Sequence, residues 1–171
     1  MRLPRRSAVA CTALVAALAF SAAAAAAEKR PSYSFQAVLL LADNQTPGSL
    51  EGVPANAQAA MRDAAKFLPY KSYRLLDLAW VRTSFKGDSR VAGPDGASYL
   101  MQVVVDPHES DGTRVVVNEF NLIELLPNGV PRPTPLLRTT FSMAPGETVV
   151  VGTSRLDGPN KALVVLLTAI P

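Results

Sequence analysis

The sequence predicts an α+β domain: a mostly antiparallel β-sheet of about six to eight strands, folded as a sandwich or partial barrel, with one α-helix near the N-terminus. Three observations carry that expectation. The chain ends in ETVVVGTSRL, the cluster Asp157-Gly158-Pro159-Asn160 and KALVVLLTAI, and two apolar runs around such a turn read as a β-hairpin. Much of the chain before it falls into short apolar or alternating runs set off by Gly, Pro, Asn and Asp clusters. Only residues 54–68 show apolar side chains at clear helical spacing.

The chain opens on an export signal. Arg2, Arg5 and Arg6 form a basic start, residues 8–20 an apolar core, and residues 21–27 the small side chains behind which a signal peptidase cuts. Cleavage is expected near Ala27. A retained anchor is the rival, since residues 8–27 are long enough to cross a bilayer. Alanine contributes little transfer free energy, however, and the small-residue tract favours cleavage. Cys11 precedes most of the apolar core, whereas a lipobox cysteine follows it, and Arg5-Arg6 alone is a weak twin-arginine signal. The expected product, residues 28–171, is a single β-rich domain, periplasmic or secreted, with no stable membrane span after cleavage.

Cleavage changes the charge argument. The whole chain has 17 basic and 14 acidic residues and a pI near 9.2. Three of those basic residues and no acid lie before residue 28, so the exported part balances at 14 of each. A net basic face for nucleic acid is therefore not expected. The only cysteine leaves with the signal, so neither a disulfide nor thiolate chemistry supports the domain, and its core must.

Residues 34–42 read as a buried strand that begins by alternating, and a loop with Pro47 and Gly48 follows. Asn44-Gln45-Thr46 fits a glycosylation sequon, a pattern too short to weigh much. In the helix, Ala57, Met61, Ala64 and Leu68 form the apolar stripe, Asn56 is the expected cap, and Pro69 ends the element. Residues 71–83 are the longest strand candidate, with Leu76, Leu78 and Trp80 on one face and Tyr73, Leu75, Ala79 and Val81 on the other. Strand, helix and strand give a βαβ-like start. Gly93-Pro94-Asp95-Gly96 is a turn, after which Tyr99, Met101, Val103 and Val105 line one face. Between Val117 and Phe120 the apolar positions change phase, as at a β-bulge. Pro131, Pro133 and Pro135 make a stiff connector, expected to carry the chain from one layer to the next. Leu137, Thr139, Phe141 and Met143 then alternate with polar residues. The run 162–167 is apolar without a break and is expected to be a central strand covered on both faces.

Three places invite chemistry. His108, the only histidine, sits among Asp106, Glu109 and Asp111, a set able to ligate a hard cation or zinc. No calcium-loop register accompanies them, so an ordinary hairpin loop is preferred, and no cofactor is expected. For catalysis there is no G-x-S-x-G elbow, no phosphate-cradling glycine loop and no carboxylate pattern. Tyr70, Lys71, Tyr73, Arg74, Trp80 and Arg82 mix aromatic and basic side chains. They are the candidate binding strip for an envelope glycan, an anionic lipid or a protein, although strand alternation puts Tyr73 and Trp80 on opposite faces and in the core.

Gly146-Glu147-Thr148-Val149-Val150-Val151-Gly152, followed by Leu163-Val164-Val165-Leu166-Leu167-Thr168, resembles the paired strands near the end of the bacterial secretin core. There an acidic-Gly-x-Thr-hydrophobic-Gly strand precedes an apolar strand ending in Thr-Pro. This chain has Gly152-Thr153-Ser154 where that family has Gly-Gly-Leu, and Ala169 follows Thr168. The likeness is confined to residues 146–168 and transfers no functional residue. It implies a role in envelope assembly or secretion. The sequence thus points to a non-enzymatic bacterial envelope protein with an envelope or secretion-system partner. A hydrolase or metal-dependent enzyme centred on His108 is one alternative, and a glycan- or lipid-binding module on the 70–82 strip is the other.

Overall fold

The computed structural model describes residues 31–44, 50–156 and 160–171. The expected export signal with Cys11, the Gln45-Thr46 part of the sequon-like triplet, Pro47, Gly48 and the expected turn residues Asp157, Gly158 and Pro159 lie outside the described residues. The strands are β1 (Tyr33–Asp43), β2 (Ser72–Thr83), β3 (Lys86–Ala92), β4 (Ser98–Val105), β5 (Val115–Leu125), β6 (Leu137–Met143), β7 (Thr148–Arg155) and β8 (Lys161–Ile170). The helix α1 (Ala55–Ala64) falls between β1 and β2. Two four-stranded sheets result, ordered β2-β1-β8-β7 and β3-β4-β5-β6, and every hydrogen-bonded pair is antiparallel.

Sheet one is the middle layer. Residues 162–169 of β8 are all buried, as are residues 37–43 of β1, because the two faces of this strand pair meet different covers. Phe35, Ala37, Leu39, Leu163, Val165 and Leu167 face sheet two, where Tyr99, Met101, Val103, Phe120 and Leu122 meet them. Val38, Leu40, Val164 and Leu166 face the other way, under Ala57 and Met61 of α1. The central placing of the final strand holds, and for the reason its unbroken apolar run implies. The phase change in β5 is likewise a bulge, between Val117 and Phe120 of its pairing with β6.

Several expectations need correction. The start of the chain is not a parallel βαβ unit. The chain leaves sheet one at Asp43, forms α1 and returns at Ser72, whose register partner is Asp43, so β2 runs antiparallel beside β1. The proline connector does not change layers either. Pro131 bridges back to Leu125, Arg132 N–H donates to Glu124 O and Leu136 N–H to Leu122 O, so the segment runs along β5 and stays in sheet two. The crossings between layers are the short links 84–85 and 144–147. Asn56 is not a cap. Pro54 occupies that position, and the Asn56 amide instead donates to Thr148 Oγ1 (3.1 Å) and Thr168 Oγ1 (3.0 Å), pinning the helix start to β7 and β8. The regular helix ends at Ala64, four residues before the expected stripe does, although Leu68 N–H still reaches Ala64 O.

In β2 a bulge overturns the expected division of faces. Leu39 pairs with Asp77 and Leu40 with Leu75, which leaves Leu76 as the extra residue. Tyr73, Leu75, Leu78 and Trp80 therefore share the helix side of sheet one, while Leu76, Ala79 and Val81 pack toward sheet two. Trp80 is 62% exposed and not core, because it lies on that face beyond the reach of α1.

Each long side of the sandwich closes over a glycine. A Cβ at Gly87 of β3 would sit 2.7 Å from Val81 Cγ1 and 3.0 Å from Thr83 Cβ on β2. On the opposite side, a Cβ at Gly152 of β7 would come within 2.7 Å of Leu137 Cδ1 on β6. Both glycines let two layers approach closely.

Two stability predictions result. Leu166→Ala should cost about 2–5 kcal/mol, as large-to-small core changes do. Val165→Asp and Leu166→Asp should be equally damaging although they point into different cores, and a melt in which either aspartate is tolerated would refute the double burial. At the glycine seams, overpacking costs about 1–3 kcal/mol. Gly87→Ala should stand at the upper end and Gly152→Ala at the lower, because stiff β-branched side chains oppose Gly87 whereas the tip of Leu137 can turn aside. Chemical denaturation of the two variants orders them.

Candidate functional site

The 70–82 strip divides. Tyr70 and Tyr73 are buried in the helix-side core, where the Tyr73 hydroxyl donates to Tyr70 O at 3.3 Å. Burial, and the neighbouring Tyr70 after it, push the Tyr73 phenol above its ordinary pKa. Lys71 is exposed ahead of β2, and Arg74 is exposed on the strand side opposite Tyr73. Trp80 and Arg82, two residues apart, do share a face, with Leu78 beside them at 37% exposure. The Arg82 guanidinium donates to Ser32 Oγ at 3.0 Å, which ties the last part of the strip to the residue just before β1. The strip thus yields one surface cluster, Leu78-Trp80-Arg82, and not a continuous stripe.

The His108 loop is organised by its aspartates. Asp106 Oδ1 accepts from the backbone N–H of His108 (2.9 Å) and Glu109 (3.2 Å), and Oδ2 accepts from Asn118 Nδ2 at 2.9 Å. Asp111 Oδ1 takes the backbone N–H groups of Thr113 and Arg114 and the Thr113 hydroxyl, all within 2.8 Å. Two carboxylates engaged in this way shape a hairpin loop. His108 and Glu109 are exposed, and among the described residues no three His, Cys, Asp or Glu side chains are grouped to hold a metal ion.

Sequence reasoning missed a third place. At the end of the sandwich where β3, β5 and β7 finish and β4, β6 and β8 begin, the sheets part around a cleft of about 970 Å³. Among the described residues, Arg90, Arg132, Arg155 and Lys161 line it, with two carboxylates, Asp95 and Glu124. Glu124 is occupied: its Oε2 accepts from Arg132 Nε at 2.8 Å, while Arg132 N–H donates to Glu124 O. No described carboxylate pairs with Arg90, Arg155 or Lys161. Register places Glu124 and Lys161 on the inward faces of their strands, opposite Tyr99 and Asp43, and Arg90 and Arg155 on the outward faces at the rim. One wall is the tight turn 93–97, in which Asp95 is left-handed (φ 56°) and the Tyr99 ring lies where a Cβ at Gly93 would be. These residues come from five strands and the links between them, so no window of sequence could have joined them.

Among the described residues no helix is long and apolar enough to cross a membrane. Comparison of the chain with protein families, characterised proteins and solved structures returned no match.

The loop carries a pH prediction. Hydrogen bonds from the His108 N–H and the Asn118 amide hold the Asp106 carboxyl below its ordinary pKa, and bonds from Thr113 do the same for Asp111. A depressed folded-state pKa stabilises at pH above the ordinary aspartate value, and the contribution disappears as pH falls through the lowered one. The loop should therefore keep its amides protected on acidification through the ordinary aspartate range and open only as pH falls through the lowered pKa values of Asp106 and Asp111. Hydrogen exchange at His108 and Glu109 reads this directly. Asp106→Ala should show the open-loop exchange already at neutral pH.

Proposed function

We propose that this protein is an exported, non-enzymatic component of the bacterial cell envelope that works by contact with an envelope or secretion-system protein. The observation that carries the reading is the Leu78-Trp80-Arg82 cluster on the helix side of sheet one. A solvated indole beside an apolar side chain and an anchored arginine is the composition of an interface centre. The N-terminal export signal supports the compartment, and the likeness of residues 146–168 to the secretin hairpin supports the kind of partner. The partner surface should be apolar at its centre with a carboxylate for Arg82. The surroundings of His108 do not favour a catalytic reading, since Asp106 and Asp111 are engaged as turn caps.

A photo-crosslinking residue in place of Trp80, expressed from the full chain, tests this. The exported species should begin near residue 28 by intact mass. It should form one discrete adduct that Leu78→Asp abolishes, and the same residue at Arg138, on the far sheet, should not form it. Absence of an adduct, or identical adducts from both positions, would sink the contact reading. As an internal check, emission from the only tryptophan should be that of a solvated indole, quenched by acrylamide.

A further inference from the structure

We propose that the cleft at the end of the sandwich binds a small ligand carrying a phosphate or carboxylate group, of the size of a sugar phosphate or sugar acid. The inference is independent of the contact surface and uses a different part of the molecule.

The first argument is charge. The exported chain is balanced at 14 basic and 14 acidic residues, so an excess of cations in any one place is a local property. Among the described residues that line the cleft, four are cations and two are carboxylates: Arg132 is paired with Glu124, Arg90 and Arg155 stand at the rim, and Lys161 lies inward on its strand. A cleft with low-dielectric walls concentrates such an excess and raises the local concentration of anions.

The second argument is preorganisation. Arg132 is held twice, by its side chain to Glu124 Oε2 and by its backbone N–H to Glu124 O. Its guanidinium is therefore placed before any ligand arrives, which lowers the ordering cost of binding. Further fixed contacts frame the site: Leu126 N–H to Val130 O beneath the β5–β6 link, Leu156 N–H to Lys161 O at the mouth of the β7–β8 hairpin, and Gly93 N–H to Ala97 O in the opposite wall. Lys161, inward on its strand and without a described carboxylate partner, is the mobile point charge that complements the fixed fork of Arg132.

The third argument is size. A volume of about 970 Å³ lies at the upper end of the roughly 300–1,000 Å³ range of small-molecule sites. Pro94, Pro127, Leu136 and Leu156 give the lining apolar surface for a ring or carbon skeleton beside the charged group.

Isothermal titration of the exported domain, residues 28–171, with glucose 1-phosphate, glucuronate, inorganic phosphate and glucose decides the matter. Glucose 1-phosphate or glucuronate should bind, and the stronger of the two tells whether the anion is phosphate or carboxylate. Glucose should not bind, and inorganic phosphate should bind at least tenfold more weakly than the better ligand. Lys161→Gln and Arg132→Gln should each weaken binding tenfold or more. Arg138→Gln, which removes an exposed sheet-two cation that does not line the cleft and is paired with Glu119, should leave it unchanged. Melting curves confirm that each variant is folded. Should Arg132→Gln prove unstable without Glu124's partner, Arg132→Lys replaces it and should still weaken binding, because an ammonium keeps the charge and loses the fork. The proposal is overturned if neither anionic sugar binds at millimolar concentration, if Lys161→Gln binds as well as the parent, if Arg138→Gln weakens binding as much as Lys161→Gln, or if inorganic phosphate binds as tightly as its sugar ester.

Discussion

Strands β1 and β8 are apolar on both faces, and the rest of the structure answers to that pair. Neither face can be left in water, so each must be covered, and the chain provides two different covers. Sheet two is broad enough to hide the face that carries Phe35, Leu39, Val165 and Leu167. The other face has only α1, whose regular part is ten residues long. The helix is accordingly placed over the densest apolar part, Val38, Leu40, Val164 and Leu166, and is pinned by Asn56 to the Thr148–Thr168 hydroxyl pair at one end. Beyond it β1 presents Gln36 and Ser34 on that face, beside the exposed Leu78 and Trp80 of β2.

The neighbours of the central pair adjust by bulges. In β2 the extra residue Leu76 lets Tyr73 and Leu75 use the helix, while Ala79 and Val81 use sheet two. In β7 the extra residue is Val151, and it brings Gly152 round to face Leu137 where the sheets meet. A strand with a strict two-residue period could satisfy only one cover along its length. The bulge is what allows an outer strand of the middle layer to serve two, and in β2 it also sends Trp80 into solvent.

How much of this could be read in advance follows the same physics. Where a strand's partners are the same from end to end, the period is uninterrupted and the sequence is legible: Tyr99, Met101, Val103 and Val105 of β4, and the whole of β8, behave as their patterns require. The β5 bulge was legible because its apolar residues mark both phases. Strand β2 was not, since Leu75, Leu76 and Leu78 are apolar on either side of the slip and the pattern fits two divisions of faces. Strand β3 left almost no trace. Val91 is its one large apolar residue, and Lys86, Asp88 and Arg90 are the charges of a sheet edge that must not pair with another chain. Its position is set by Gly87, which yields its side-chain space to Val81, and by Asp77, whose Oδ2 accepts the Ala92 N–H at 2.7 Å. Neither is a periodic signal.

The two surfaces with functional character differ for the same reason in how far they could be foreseen. Leu78, Trp80 and Arg82 lie on one strand, so their residue types were visible and only their exposure was not. The cleft has the opposite character. Antiparallel strands bring their ends together in space while keeping them far apart in sequence, so Arg90, Arg132, Arg155 and Lys161 meet only after both sheets have formed. A charge excess assembled in this way is local, and the composition of the chain says nothing about it. The end of the sandwich is also where covering is weakest, because strand lengths and links, and not the core, decide how the layers close there. Charged side chains such as Arg90, Arg155 and Lys161 can stand there because they are exposed and the core makes no demand on them.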